Sequence, residues 1–280
     1  MENNLAIITS GGGLKCSFGA GVMLAFVRKF GIQEPRILLS CSGSSGTGAY
    51  YISKQYKSIL NIWGNLLSTK NFVSPSRIWR IMDIDYLIDE VFKKQDPLNT
   101  KAVYSSQTHY LIPALNRQTG KVDYFSNKES VDIFEVMRAT KALPLAFKLN
   151  PNISLRENTY CDSPLSSSPR THLEKIVEMG SRKILIVDTS TQSSQINFEY
   201  AMFNLWASTQ NTNFKRGYTE SKRRLEKYSL PRDVKVFSIS PRAHLPVKTF
   251  GNEKNSLRQA IKQGYDETIS NIELAEFIGK

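Results

Sequence analysis

"ILLSCSGSSGTGAYY", residues 37–51, is the stretch on which the reading of this chain turns. An apolar run, Ile37 to Leu39, breaks into small residues from Ser40 to Ala49 and then continues as a helix. That order describes a buried strand turning sharply into a helix. Four serines, Ser40, Ser42, Ser44 and Ser45, lie in the turn. Such a serine can be turn filler, part of a phosphate cradle, or a nucleophile held on a strained elbow. An elbow needs small neighbours two positions to either side, and the helix N-terminus then favours negative charge at the reacting centre. Three residues beyond Leu39 the chain places Ser42, with Ser40 and Ser44 as those neighbours. Ser44, flanked by Ser42 and Gly46, and Ser45, flanked by Gly43 and β-branched Thr47, stay open on this argument.

Upstream, "NLAIITS" (residues 4–10) reads as a buried strand that opens into Gly11-Gly12-Gly13-Leu14-Lys15 and then a helix over 17–30, with Gly31 at its C-cap. Strand, glycine loop and helix together point backbone N–H groups at an anion, either a phosphate or an oxyanion. The dinucleotide spacing lacks its last glycine, and the Walker spacing is absent.

A serine nucleophile needs a base. His109, His172 and His244 are the three histidines, none in a loop that plainly follows a strand; His244 comes nearest. Asp162, in "NTYCDSPLSSSP" (158–169), follows a short strand-like piece and precedes a turn and helix. It is placed either to accept a proton or to cap that turn.

Along the rest of the chain, strands alternate with helices. One helix is expected from the elbow through residue 67, and others over 82–95, 130–143, 172–180 and 255–278. A strand pair around Thr119–Gly120 spans 108–127, and strands follow at 182–190 and 233–241. The pattern predicts an α/β fold with a mainly parallel sheet covered by helices on both faces.

The 280 residues are 40% hydrophobic, ample for one large α/β domain, with no repeat or linker-like segment. Three cysteines without CxxC spacing, and a start lacking a basic and apolar leader, lead to the expectation of a soluble protein in a reducing cytoplasm. The net charge of +12 has its densest run at 215–227, "KRGYTESKRRLEK". Nucleic acid and an anionic membrane would both be drawn to such a surface. The apolar stretch "YAMFNLWAS" (200–208) is open as core, lid or membrane-facing patch.

In order and spacing these motifs resemble the patatin-like phospholipases, the bacterial subgroup in particular. "SGGGLKCSFGAGVMLAF" (10–26) resembles the family's oxyanion stretch, with Lys15 in its basic position and Cys16 in place of a glycine. "RILLSCSGSSGTGAYYISKQ" (36–55) lies without gaps on its strand, elbow and helix, with Ser42 on the nucleophile and Ser40 and Ser44 where the family has glycines. "IMDIDYLIDEVFKKQDPL" (81–98) and "MRATKALPLAF" (137–147) resemble two further segments. "TYCDSPLSSSPRTHLEKIVEMGSRKILIVDTS" (159–190) resembles the end of the family core, with Asp162 on its aspartate and Ser163 and Pro164 in place of glycines.

The resemblance covers about residues 5–190 of a single domain over 1–280, with a helix-and-strand extension from 191. It implies a three-layer α/β/α sandwich, a Ser42–Asp162 dyad, and an oxyanion site of Gly11, Gly12 and Gly13 aided by Lys15. It implies no metal and no cofactor. The substrate would be a phospholipid or another acyl-ester lipid; the scattered basic residues would favour peripheral contact with an anionic membrane, and no nucleic-acid partner is expected. Two other classes remain as expectations: a lipid-binding relative without activity, and a nucleotide- or nucleic-acid-binding α/β domain.

Overall fold

The computed structural model describes residues 4–78, 80–190 and 198–279. Residues 1–3, part of the start in which no leader sequence is read, lie outside them.

Strands β1 (Leu5–Thr9), β2 (Ile37–Ser40), β3 (His109–Asn116), β4 (Val122–Ser126), β5 (Ile153–Leu155), β6 (Asn158–Cys161), β7 (Lys183–Val187) and β8 (Lys235–Ile239) form one sheet. Its order is β5-β6-β3-β2-β1-β7-β8, with β4 also on β3. The centre is parallel: β1 lies between β2 and β7, β3 continues from β2, and β8 from β7. The hairpin β3–β4 and the short strands β5 and β6 add an antiparallel flank. This is the expected α/β fold with a mainly parallel sheet flanked by helices.

Alternation along the strands divides the core in two, because successive side chains leave opposite faces of a sheet. Leu5, Ile7, Leu38, Leu185 and Val187 face the larger layer, built from α1 (Cys16–Arg28), α2 (Ser44–Ile52) and helices that follow. Ala6, Ile8, Ile37, Leu39, Ile184 and Ile186 face a thinner one, where Leu173 and Ile176 of a short helix close the sheet.

The remaining helices refine the expected pattern. The helix after the elbow is not continuous to residue 67. Lys54 takes φ 61°, and Lys54 and Gln55 donate back to Tyr51 O and Tyr50 O, a Schellman-type stop. The chain restarts as α3 (Tyr56–Asn61), which widens into a π-type stretch at Ile62–Leu66. Helix α4 (Ile84–Tyr86) widens likewise over Leu87–Gln95 and is followed by α5 (Thr100–Ser105). Helix α6 (Ile133–Lys141) precedes β5. Arg138, buried in α6, bridges to Asp85, to Asp89 at 3.0 Å and to Glu135 at 3.1 Å, which ties the second π-type stretch to α6.

After β6 come α7 (Pro164–Ser167) and α8 (Leu173–Glu178). Helices α9 (Phe198–Ser208) and α10 (Thr212–Lys227) bring Phe203, Trp206, Phe214 and Tyr218 together over Leu115 and Cys161. The stretch 200–208 is thus partly core, although Leu205 is 67% exposed. The expected C-terminal helix breaks in two, α11 (Lys254–Ile269) and α12 (Ile272–Ile278), where Asn271 caps α12 by accepting from Leu274 N–H at 2.9 Å.

Helices α1 and α11 touch backbone to backbone, and glycines permit it. A Cβ on Gly264 would stand against the Phe18 carbonyl, and one on Gly21 against the Ile261 carbonyl. Gly264→Ala is therefore expected to force the helices apart, at a cost of about 1–3 kcal/mol or more. A thermal melt reads this directly; an unchanged midpoint would mean the crossing is looser than drawn.

Candidate active site

Three parallel strands end at one place, and each delivers a loop there. β1 gives the glycine loop, β2 the elbow and β7 Thr189. Ligands of open α/β sheets bind beyond these carboxyl ends.

At the elbow, Ser42 has φ 43°, a left-handed conformation that a serine adopts at a cost of about 1–3 kcal/mol. Its hydroxyl donates to Asp162 Oδ2 at 2.5 Å, a length typical of a charge-assisted O–H···O⁻ bond. The crowding explains the small residues: a Cβ on Gly43 would come within 2.8 Å of Gly13 O and 2.9 Å of Cys16 Sγ. Ser44 Oγ donates to Ser10 O at 2.7 Å, and Ser45 Oγ to Ser42 O at 2.8 Å. Both side chains are buried, and neither lines the cavity that Ser42 enters.

Asp162 follows β6 and is held by the serines after it. Its Oδ1 accepts from Ser163 N–H at 2.7 Å, Ser167 Oγ at 2.8 Å and Ser166 Oγ at 3.2 Å. Ser163 and Ser166 close a reciprocal capping box at the start of α7, with Pro164 at its first position. That is the work of the residues standing where the resemblance expects glycines. Burial raises the Asp162 carboxyl to about 6, against the lowering effect of its four hydrogen bonds.

No histidine reaches Ser42. His244 is exposed, and His109 is at the start of β3. His172 is fully buried and its pKa falls to about 4, so the ring is neutral. Its Nε2–H donates to Ser166 O at 3.1 Å, and Nδ1 accepts from Tyr124 OH at 3.0 Å. It fastens the turn that carries Asp162.

In the glycine loop, Gly12 and Gly13 have φ 136° and 59°, conformations open to glycine. The loop is tied from outside: Thr189 Oγ1 donates to Gly11 O at 2.7 Å, and Leu14 N–H donates to Thr249 O at 3.0 Å. Gly11 departs from the expectation, because its own N–H is already taken by Ser167 O at 2.9 Å. The N–H groups of Gly12, Gly13 and Gly43 have no acceptor among the described residues. Lys15 is half-buried and lines the cavity beside them. Cys16 lies against Gly43 as a buried thiol, pushed up to about 11 by burial.

Ser42 and Asp162 open into a cavity of about 340 Å³. Its lining combines polar groups, from the glycine loop and Lys141, with apolar side chains of Ile62, Trp63, Phe72, Leu87 and Phe92. Both π-type stretches contribute to the apolar lining, and Trp63 Nε1–H is satisfied by Thr47 Oγ1 at 2.8 Å. Among the described residues no cluster of three or more His, Cys, Asp or Glu could hold a metal, and no helix is long and apolar enough to cross a membrane.

Two residues of the site, Thr140 and Lys141 in the last turn of α6, lie in the quoted segment 137–147 but are not singled out there as site residues. The signal was present. Ile133, Val136, Met137, Thr140 and Lys141 fall at i, i+3, i+4, i+7 and i+8, a buried helix stripe with a lysine in it. A lysine there is unusual enough to mark a site.

No family model matches the chain, and no curated protein matches its sequence. Among solved structures its fold is similar to that of VipD from Legionella pneumophila. The TM-score is 0.53 over 99% of this chain and 67% of that one, at 11% identity. At that identity the likeness concerns the fold alone.

Proposed function

We propose that the protein is a serine-dependent lipid acyl hydrolase. The observation that carries this reading is Ser42, held at positive φ with its hydroxyl on Asp162, in a cavity lined by both polar and apolar side chains. Asp162 takes the Ser42 proton as the oxygen attacks an ester carbonyl, and the tetrahedral oxyanion is received by the N–H groups of Gly12, Gly13 and Gly43. Collapse expels the alcohol with that proton, and water then releases the fatty acid from the acyl-enzyme. The acyl chain lies along Trp63, Leu87 and Phe92, where apolar burial favours it. Lys15 adds a positive charge to the cavity lining, suited to the phosphate of a phospholipid.

The sequence resemblance to patatin-like phospholipases supports the same reading, as does the absence of a histidine partner for Ser42 among the described residues. The exposed cations Lys215, Arg216, Arg223 and Lys227 of α10 favour contact with an anionic bilayer. Vesicles of a phosphatidylglycerol–phosphatidylcholine mixture provide the test, with released fatty acid as the readout. Added salt should slow release from anionic vesicles more than from neutral ones. An inert protein that nevertheless binds the vesicles would instead be a lipid-binding relative.

A further inference from the structure

Ser42 is gripped through its backbone as well as its side chain. Its N–H donates to Thr140 Oγ1 at 3.2 Å, and Thr140 Oγ1 in turn donates to Pro113 O in β3 at 2.6 Å. Its carbonyl accepts from Lys141 Nζ at 2.7 Å and from Ser45 Oγ at 2.8 Å. Lys141 Nζ also donates to Ser45 Oγ, which closes a ring of three polar groups beneath the elbow. Consecutive residues of α6 therefore hold the two sides of one strained residue. Both are buried, Thr140 at 0% and Lys141 at 6% exposure.

We infer that Thr140 and Lys141 are positioning residues that clamp the Ser42 backbone and so hold its hydroxyl in line with Asp162. The inference rests on Ser42 being the nucleophile. A strained conformation persists only where its surroundings over-determine it, and this clamp supplies that constraint. A lysine is a costly means of holding a carbonyl, since burial penalises its charge. The charge accounts for its use: Lys141 lines the same cavity as Asp162 and opposes the negative charge that develops there.

Burial lowers Lys141 to about 7, while Cys16, when ionised, and the Asp162 carboxylate pull the other way. Those are the titratable groups that act on it, one at the start of α1 and one following β6. Below about 7 the ammonium has three donors and a charge; above it the amine loses one donor and the charge. Asp162 must be ionised to act as base, which requires a pH above about 6. The rate of Ser42 reaction should therefore rise through about 6 and fall again above about 7.

The test is the rate of fluorophosphonate labelling from about pH 5 to 9, with melts of each variant beside it. Lys141→Met should label about 100-fold more slowly near pH 6.5, the scale of a misplaced reacting group, and should lose the fall above pH 7. Lys141→Gln, a neutral donor, should recover part of the rate without the fall, and answers the question alone if the methionine variant does not fold. Thr140→Val should slow labelling about tenfold and keep the fall. A basic fall that persists in the lysine variants, or rates within about twofold of the parent in all three, would overturn the clamp while leaving the hydrolase standing. A parent protein that never labels would overturn both.

Discussion

Ser42→Ala is expected to abolish fluorophosphonate labelling and to lower ester hydrolysis by about four to six orders of magnitude, as loss of a serine nucleophile does elsewhere. The fold should survive. Alanine occupies the same strained backbone, and the clamp from Thr140 and Lys141 acts on main-chain atoms. What is lost is one hydrogen bond to Asp162 Oδ2, leaving the carboxylate its three donors on Oδ1. Peptide mapping of the labelled parent should return the adduct on Ser42. An adduct on Ser44 or Ser45, or full hydrolysis by the alanine variant, would sink the assignment. Geometry weighs against both, since their hydroxyls are turned to Ser10 O and Ser42 O and away from the cavity.

Asp162→Asn should combine the same loss of labelling with a gain in stability. The amide can point its oxygen at the three donors on the Oδ1 side and its N–H₂ at Ser42 Oγ, so the network is kept while the base is removed. The stability gain follows from burial. Asp162 has its pKa raised from 3.8 to about 6, so in this window the folded state holds a proton that the unfolded state has released. Stability from this group therefore falls as pH rises from about 4 to about 6 and is flat beyond it, with a total loss on the order of 2–3 kcal/mol. Asparagine does not titrate and escapes that loss. The difference in melting temperature between variant and parent should be near zero at about pH 4 and reach several degrees above about pH 7. A variant destabilised at every pH would mean that the carboxylate is a structural tie rather than a strained base.

Much of the site is open to inspection in the sequence because it is local. Residues 40–49 are small because Gly43, Gly46 and Gly48 each abut another element. The spacing from Leu39 leads to Ser42, which is the residue found at positive φ. The glycine loop is equally local, but which of its N–H groups are free is not. Gly11 loses its N–H to Ser167, 156 residues away in the chain, and no pattern around Gly11 announces that. Lys141 is a similar case. Its place on a buried stripe is visible in the sequence, while its partners on the Ser42 carbonyl and Ser45 hydroxyl appear only when α6 is packed beside the elbow.

By itself the sequence determined the alternation of strands and helices, the parallel centre of the sheet and a sharp turn within the serine cluster, with Ser42 favoured by spacing. Periodicity, glycine placement and residue size act over a few positions, and these features need nothing more. The helix breaks at Lys54 and Asn271, the thin second layer and the cradle of serines around Asp162 required the tertiary structure. So did the state of the buried ionisable groups. Asp162 near 6 and Lys141 near 7 owe those values to desolvation, which exists only after distant segments have closed over them.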